Sequence, residues 1–130
     1  MQYCPLQWTS MGMYASARGW LEIEFKQRSN AEEILQRHED GFYSRGWAFP
    51  VKPFNWTLYL FYGGDIREGE LPWLRAQVAE LAALPAIDDD GDRARGLFLI
   101  TDERGGAVTW QIRNGTLEEL PAPSLSWLGE

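Results

Sequence analysis

The chain has few of the residues on which catalysis and metal binding most often depend. Its 130 residues include one cysteine, Cys4, and one histidine, His38. A Ser-His-Asp or Cys-His arrangement has only this histidine to use, and one cysteine with one histidine cannot complete the usual zinc site. We therefore expect no catalytic residue, no metal and no cofactor, and the balance favours a protein that is not an enzyme.

A single cysteine also cannot form a disulfide within the chain, which makes a reducing cytoplasm the simplest compartment. No stretch of the sequence approaches the roughly 20 apolar residues that cross a bilayer. The first dozen residues contain no basic segment followed by an apolar one. The sequence thus predicts a cytoplasmic protein that has no membrane partner.

Positive charge is scarce as well. Twelve basic residues stand against 19 acidic ones, which gives a net charge of -7. Nucleic-acid binding depends on clustered positive charge, and no basic cluster is visible along the sequence. We therefore expect no nucleic-acid partner. The acidity favours a basic protein as the partner.

What the chain does have is the composition of one globular domain. Its length suffices for a single hydrophobic core, and 45% of its residues are hydrophobic. We expect a flexible leader over residues 1–12, one domain over residues 13–120 and a tail over residues 121–130. The seven tryptophans are many for this length, and they suit either a core or a recognition surface.

The domain begins with one strand pattern and one helix pattern. Residues 15–25 alternate between apolar and polar, which predicts a strand with one buried face. Ser29 lies three residues before Glu32, the spacing of a capping box, and predicts the start of a helix that ends near Gly41. The apolar stripe of this helix comprises Ala31, Ile34, Leu35 and His38.

Two further strands are predicted before a second helix. Residues 45–50 form a brief strand that proline ends. Residues 55–62 are apolar on both faces, which is typical of a central strand, and Gly63-Gly64-Asp65 then predicts a turn. Pro72 suits the first turn of a helix that continues to Pro85. The apolar stripe of this helix comprises Leu71, Leu74, Val78, Leu81 and Leu84.

The last part of the domain is predicted to be all strand. Residues 97–101 and 107–112 form two strands, and Asn114-Gly115 predicts a type I′ turn before a strand over residues 116–120. The order of elements indicates the α+β class: a ferredoxin-like two-layer sandwich with an antiparallel sheet, two helices and an added C-terminal hairpin. The expected core comprises Trp56, Leu58, Leu60, Leu74, Val78, Leu81, Phe98 and Ile100.

A pair of carboxylates on the first strand is the best candidate for a binding site. Glu22 and Glu24 share one strand face and lie about 7 Å apart by the strand rise. Acid–base catalysis would need a pocket that shifts the pKa of one of them. Because Arg18 and Trp20 share this face, we instead predict an open, mixed binding patch that contains Trp20, Glu22 and Glu24.

The acidic run from Asp88 to Asp92 invites comparison with a calcium-binding loop. Counted from Asp88, positions 6 and 12 hold Arg93 and Leu99, where an EF-hand needs glycine and glutamate. The run therefore predicts a solvated turn rather than a calcium site. Its residues Asp89 and Asp90 are candidates for attracting a basic partner.

Two other features have structural interpretations. His38 lies on the apolar stripe of the first helix, which indicates a capping or packing role. The run Gly63-Gly64-Asp65 lacks the spacing and the lysine of a phosphate-binding loop. Asp65 or Glu68 is instead expected at the start of the second helix, where negative charge is favourable.

Four segments carry a resemblance: GWLEIEF, NWTLYLFYGGDIRE, LPWLRAQVAELAALP and DGDRARGLFLITDE. Together they resemble small, acidic bacterial domains found as immunity proteins beside polymorphic or contact-dependent toxins. The resemblance spans about residues 13–115. It implies a protein that blocks a toxin by binding it, and it carries over no functional residue.

Two functions follow as hypotheses. The first is a binding protein whose acidic, aromatic surface blocks a basic enzyme, possessing no catalytic groups of its own. The second is a small-molecule site or an enzyme on the open face of the sheet. A deep apolar pocket with converging polar groups would favour the second.

Overall fold

A six-stranded antiparallel sheet with two helices on one face makes up the computed structural model, which describes residues 13–52, 55–122 and 127–128. The strands are β1 (Tyr14–Glu24), β2 (Trp47–Ala48), β3 (Thr57–Arg67), β4 (Arg95–Asp102), β5 (Ala107–Arg113) and β6 (Thr116–Pro121). The helices are α1 (Arg28–Arg37) and α2 (Leu71–Ala82). Cys4, the predicted leader, Pro53, Phe54 and much of the predicted tail lie outside the described residues.

The strand order confirms the predicted fold class. The sheet runs β2-β3-β1-β4-β5-β6, and all of its pairs are antiparallel. The first four of these strands, with α1 and α2, form the ferredoxin-like unit, in which β1 and β3 are central. β5 and β6 extend the sheet beyond β4 as the added C-terminal hairpin.

The core lies between the helices and one face of the sheet. On β1 and β3 the alternate residues that face the helices are buried, among them Leu21 and Leu60. Both helices pack against this face through their predicted stripes, and the core includes Ala31, Ile34, Leu74, Val78 and Leu81. Seven of the eight expected core residues are buried.

The prediction for Trp56 is wrong, because 67% of this residue is exposed. It has the alternation of Leu58, but β3 begins only at Thr57. Its carbonyl accepts a hydrogen bond from the N–H of Phe25 at 2.8 Å, while its indole lines a surface cleft. Alternation predicts which face of the sheet a side chain lies on, but it does not predict whether other residues bury that side chain.

The predicted Gly63-Gly64-Asp65 turn is also wrong. β3 continues through these residues to Arg67, because β1 is equally long and pairs with it from Glu24↔Thr57 to Tyr14↔Arg67. Backbone pairing with a distant strand thus overrides the local turn signal. The Asp65 carboxylate accepts a hydrogen bond from the Ser16 hydroxyl across this pair at 2.7 Å.

β2 is shorter than predicted, and the chain explains where it stops. Its two residues pair as Trp47↔Tyr62 and Ala48↔Phe61. Continuing this register would place Pro50 opposite Tyr59, and proline has no N–H to donate to the ladder. β3 therefore pairs fully only with β1. Its second apolar face is exposed, in contrast to the expectation for a strand that is apolar on both faces.

Both helix starts differ from the sequence prediction. α1 begins at Arg28, so Ser29 lies inside it, and the capping box is formed one turn earlier by Glu24 and Gln27. The residue before α2 is Glu70, whose side chain makes no capping bond. Glu68 lies in the 3₁₀ turn that leads into this helix, as predicted for one of the two acidic residues, whereas Asp65 lies in β3. A short 3₁₀ turn extends the start of each helix and moves the cap away from the expected residue.

The predicted hairpin turn is confirmed. Asn114 and Gly115 have φ values of 54° and 80°, and positive φ at both central residues defines a type I′ turn. This turn sets the register of β5 and β6, which pair from Arg113↔Thr116 onward. The second helix likewise has Pro72 in its first turn, as predicted.

We predict that Leu74→Ala lowers the free energy of unfolding by about 2 to 5 kcal/mol, because the buried side chain leaves a cavity when it is truncated. Leu74 is fully buried on α2. The control is Trp56→Ala at an exposed position, which should change stability by about 0.5 kcal/mol or less. Urea denaturation measures the stability of both variants. An unchanged midpoint for Leu74→Ala would contradict the packing of α2 in the core.

Candidate functional site

The face of the sheet opposite the helices carries a group of apolar side chains, which we call the open-face patch. It consists of Trp20, Tyr59, Phe61, Leu97 and Leu99. Strand register places Trp20 of β1 between Phe61 of β3 and Leu97 of β4. Tyr59, Phe61 and Leu97 are 42%, 48% and 36% exposed, values that are high for large apolar residues on a sheet. The sheet thus offers solvent a continuous apolar surface across its three longest strands.

The rings of the patch have defined mutual positions. The Tyr59 and Phe61 rings are stacked, with centroids 6.1 Å apart and planes inclined by 14°. Trp20 is half-buried, and its Nε1 donates a hydrogen bond to Glu22 Oε2 at 3.0 Å. Glu22 Oε1 in turn accepts a bond from Arg95 Nε at 3.4 Å. Aromatic rings of this kind are favoured as the central contacts of protein interfaces.

Charged residues around the patch occur with both signs. By strand alternation this face carries arginines from four strands, Arg18, Arg67, Arg95 and Arg113, and an equal number of carboxylates, Glu22, Glu24, Asp65 and Glu118. The open face is therefore balanced in charge. The strand residues of this face thus contribute nothing to the net charge of -7.

A cleft of about 170 Å³ adjoins the patch at the end of β1. It brings together the predicted pair Glu22 and Glu24 with Trp56, Asp92 and Arg95. Asp89 and Asp90, the other predicted binding residues, are exposed in the neighbouring turn and do not line this cleft. The sequence missed Trp56 because it was assigned to the core.

The acidic turn does form as predicted. The Asp88 carboxylate accepts the backbone N–H of Asp92 at 3.2 Å, which closes the turn on itself. Carboxylate oxygens of Glu24, Asp88 and Asp92 all lie within 4.8 Å of one another, so these are the described residues that could hold a cation. One ligand oxygen from each of these three carboxylates falls short of the six to eight oxygen ligands that calcium takes.

A second depression, of about 340 Å³, lies between α1 and β2. Leu35, Trp47 and Phe49 form its apolar part, and Glu32 and Arg45 lie at its margin. Small-molecule sites are generally enclosed cavities of about 300 to 1,000 Å³ with a few converging polar groups. Neither depression has that form, since the larger is an open groove and the smaller is a mainly polar cleft.

His38 joins the two helices. It is the C-cap residue of α1, and its Nε2 lies 2.6 Å from Glu80 Oε2 on α2. Arg37 Nη2 donates to the other oxygen of Glu80 at 2.8 Å, and the His38 carbonyl accepts a bond from Trp73 Nε1. Side-chain hydrogen bonds from Arg37 and His38 hold the pKa of Glu80 below its usual value. The histidine therefore has the capping and packing contacts that the sequence indicated.

Comparison with known proteins finds no match: no family model, no curated protein and no solved structure is similar to this chain. Among the described residues, no helix is both long and apolar enough to cross a membrane.

We predict that neither zinc nor calcium binds with micromolar or tighter affinity, because the described carboxylates supply too few ligands. Isothermal titration calorimetry of the full chain measures this for each ion. Asp92→Asn is the control for the acidic turn: any weak calcium signal should disappear in this variant. Micromolar binding that Asp92→Asn abolishes would show that the turn is a metal site.

We predict that Glu80 contributes to stability above its ordinary pKa of 4.5 and loses that contribution as the pH falls further. The lowered pKa in the folded state means that protonation is harder there than in the unfolded chain. Glu80→Gln should therefore lose less stability than the wild type between about pH 5 and pH 3. Glu33→Gln is the control, since Glu33 is exposed and forms no ion pair with a described residue. Urea denaturation at each pH gives the comparison, and parallel wild-type and Glu80→Gln curves would contradict it.

Proposed function

We propose that this domain binds a basic protein and that the open-face patch is the main contact. The observation that carries the proposal is the exposure of Tyr59, Phe61 and Leu97 on a sheet face that the described helices leave uncovered. Contiguous apolar surface of this kind is unusual on a monomer and marks interaction sites. A protein surface is the partner that can cover three adjacent strands at once.

The composition of the patch supports protein binding. Trp20, Tyr59 and Phe61 are of the residue types that dominate interface energies, and they lie at the centre of the face with charged residues around them. A central aromatic cluster with a polar rim is the arrangement typical of a stable interface. Arg18 and Arg95 are placed at that rim, where they can pair with carboxylates of a partner.

Charge supports a basic partner. The net charge of -7 gives the whole molecule a negative field, and the turn from Asp88 to Asp92 lies beside Glu24 at one end of the open face. Such a field accelerates the approach of a positively charged protein and has little influence on how long the complex lasts. Asp89 and Asp90 are exposed in that turn and would contribute to this attraction.

An inhibitor of the immunity type is the form of binding protein that we propose. A domain of this size that covers the active site of a basic enzyme needs an interface and no chemistry of its own. A toxin enzyme encoded beside this protein is therefore the partner to test first.

Two other ligands are less well supported. Exposed aromatic residues on the two central strands of an open sheet can also stack on the bases of single-stranded RNA. Here the four carboxylates of that face offset its four arginines, so the face lacks the excess of positive charge on which phosphate binding depends. A small molecule would need an enclosed pocket, whereas the described clefts are open.

We predict that Phe61→Ala weakens binding to the toxin at least about 30-fold, because a central aromatic contact contributes about 2 kcal/mol or more. The loss should appear mainly as faster dissociation. Phe42→Ala is the matched control, since Phe42 is 64% exposed and lies in the loop after α1, away from the patch. Surface plasmon resonance with the purified toxin measures both rates.

Replacement of Asp89 and Asp90 by lysine should slow association and weaken its dependence on salt, while dissociation stays unchanged. Equal affinities of the wild type, Phe61→Ala and Phe42→Ala for the toxin would show that the open-face patch is not part of the interface. If a single-stranded RNA oligonucleotide bound tightly and Phe61→Ala abolished that binding, the ligand of the patch would be a nucleic acid and not a protein.

A further inference from the structure

The two edges of the sheet differ in how far other described residues cover them. At the β3 edge, β2 pairs with Tyr62 and Phe61, and Pro50 prevents any longer pairing. Near the far end of β3, the backbone N–H of Arg67 donates to the Tyr43 hydroxyl at 3.3 Å. At the other edge, β6 is the last strand, and the described residues place no strand beyond it.

The hydrogen-bond pattern of the hairpin shows which groups β6 directs outward. The N–H of Ala122 donates to the carbonyl of Ala107 at 3.0 Å, in the same register as Thr116↔Arg113. Since bonded positions alternate in an antiparallel pair, Glu118 and Leu120 also direct their backbone groups toward β5. The residues between them, Leu117, Glu119 and Pro121, therefore direct their backbone groups away from the sheet.

This outer edge has few free backbone hydrogen-bonding groups, and they end at Pro121. Leu117 and Glu119 each present an N–H and a carbonyl, whereas Pro121 presents a carbonyl only. A strand edge that no described strand covers is a template for an added strand, and proline limits how far the pairing can extend. Pairing is thus confined to the segment between the hairpin turn and Pro121.

The charges along β6 indicate which kind of strand can pair with this edge. Glu119 accepts bonds from Arg75 and Trp110 at 3.1 and 3.0 Å, but no described residue bonds to the carboxylate of Glu118. Two-fold pairing of two copies centred on Glu118 or on Glu119 would set that carboxylate opposite its own copy, and like charges directly opposite each other are unfavourable. A strand with a lysine or arginine opposite Glu118 has no such penalty.

We propose that the outer edge of β6 binds an extended segment of another protein as a seventh strand. This segment carries a basic side chain on the open-face side, next to Glu118, and an apolar one next to Leu120. Its backbone pairs with Leu117 and Glu119. The edge is separated from the open-face patch by β5, so this site and the proposed function succeed or fail independently.

Amide hydrogen exchange of the full chain, followed by NMR, tests the proposal. The probe is a capped eight-residue peptide with lysine, valine, lysine and valine at its odd positions and threonine at its even positions, which places lysine and valine on one face of the strand; we call it the lysine–valine peptide. In the free protein the amides of Leu117 and Glu119 should exchange rapidly while those of Glu118 and Leu120 are protected. Saturating peptide should slow Leu117 and Glu119 by about tenfold or more and leave Glu118 and Leu120 unchanged.

Comparison of Glu119→Pro with Glu119→Ala tests the contribution of the backbone N–H of residue 119 to peptide binding. Both lose the carboxylate and its bonds with Arg75 and Trp110, but only proline removes the outward N–H, and neither removes a backbone bond to β5. Glu119→Pro should bind the peptide at least about tenfold more weakly than Glu119→Ala. Retained protection at Glu118 and Leu120 shows that the hairpin has folded in both.

A second peptide keeps the test decisive if Glu119→Pro disturbs the hairpin. The lysine–valine peptide N-methylated at every residue has no N–H to donate along either edge, and it should not protect Leu117 or Glu119 of the wild type. A glutamate–valine peptide should bind more weakly than the lysine peptide. Equal binding of Glu119→Pro and Glu119→Ala would overturn the proposal. Peptide binding without protection at Leu117 and Glu119, or protection that rises with protein concentration alone, would also overturn it.

Discussion

The fold depends on β1, whose backbone is paired on both sides. It pairs with β3 over its whole length of 11 residues and with β4 from Ala15 to Glu22. Two glycines permit the second pairing: a Cβ at Gly19 would lie 2.2 Å from the Leu97 carbonyl oxygen, and one at Gly96 would lie 2.1 Å from that of Trp20. The same close approach brings Trp20 and Leu97 side by side on the opposite face. The packing of the core and the open-face patch therefore share one constraint.

The sequence was sufficient where the signal is local. Alternation along β1, the apolar stripe of α2 and the Asn114-Gly115 turn each depend on residues close together in the chain, and each is present in the structure. With the order of elements, these signals lead to the fold class. Seven of the eight core residues followed, because alternation and helical spacing identify one face of each element.

The failures have a common physical cause. Gly63-Gly64-Asp65 has the residues of a turn, but a partner strand of equal length keeps it extended. Trp56 has the alternation of a core residue, but it lies one residue before the start of β3. Ser29 has the spacing of a cap, but the helix begins before it. In each case a longer-range contact or an element boundary decides the outcome, and neither is encoded within a short window.

The candidate site was only partly accessible to sequence reasoning. Trp20 and Glu22 share a face by alternation, which the sequence showed. That Phe61 and Leu97 lie on either side of Trp20 follows only from the strand register. The second face of β3 is also apolar, and the sequence therefore suggested that it is buried. Periodicity cannot distinguish a covered apolar face from an exposed one.

The contacts within the open-face patch have a consequence for the entropy of binding. The Trp20 indole is held by Glu22, Glu22 is held by Arg95, and the Tyr59 and Phe61 rings restrict one another by stacking. Immobilising a free side chain at an interface costs about 0.5 to 1.5 kcal/mol. Because these contacts restrict the side chains before any partner arrives, much of that cost would be met during folding, and the patch would be preorganised for the binding that we propose.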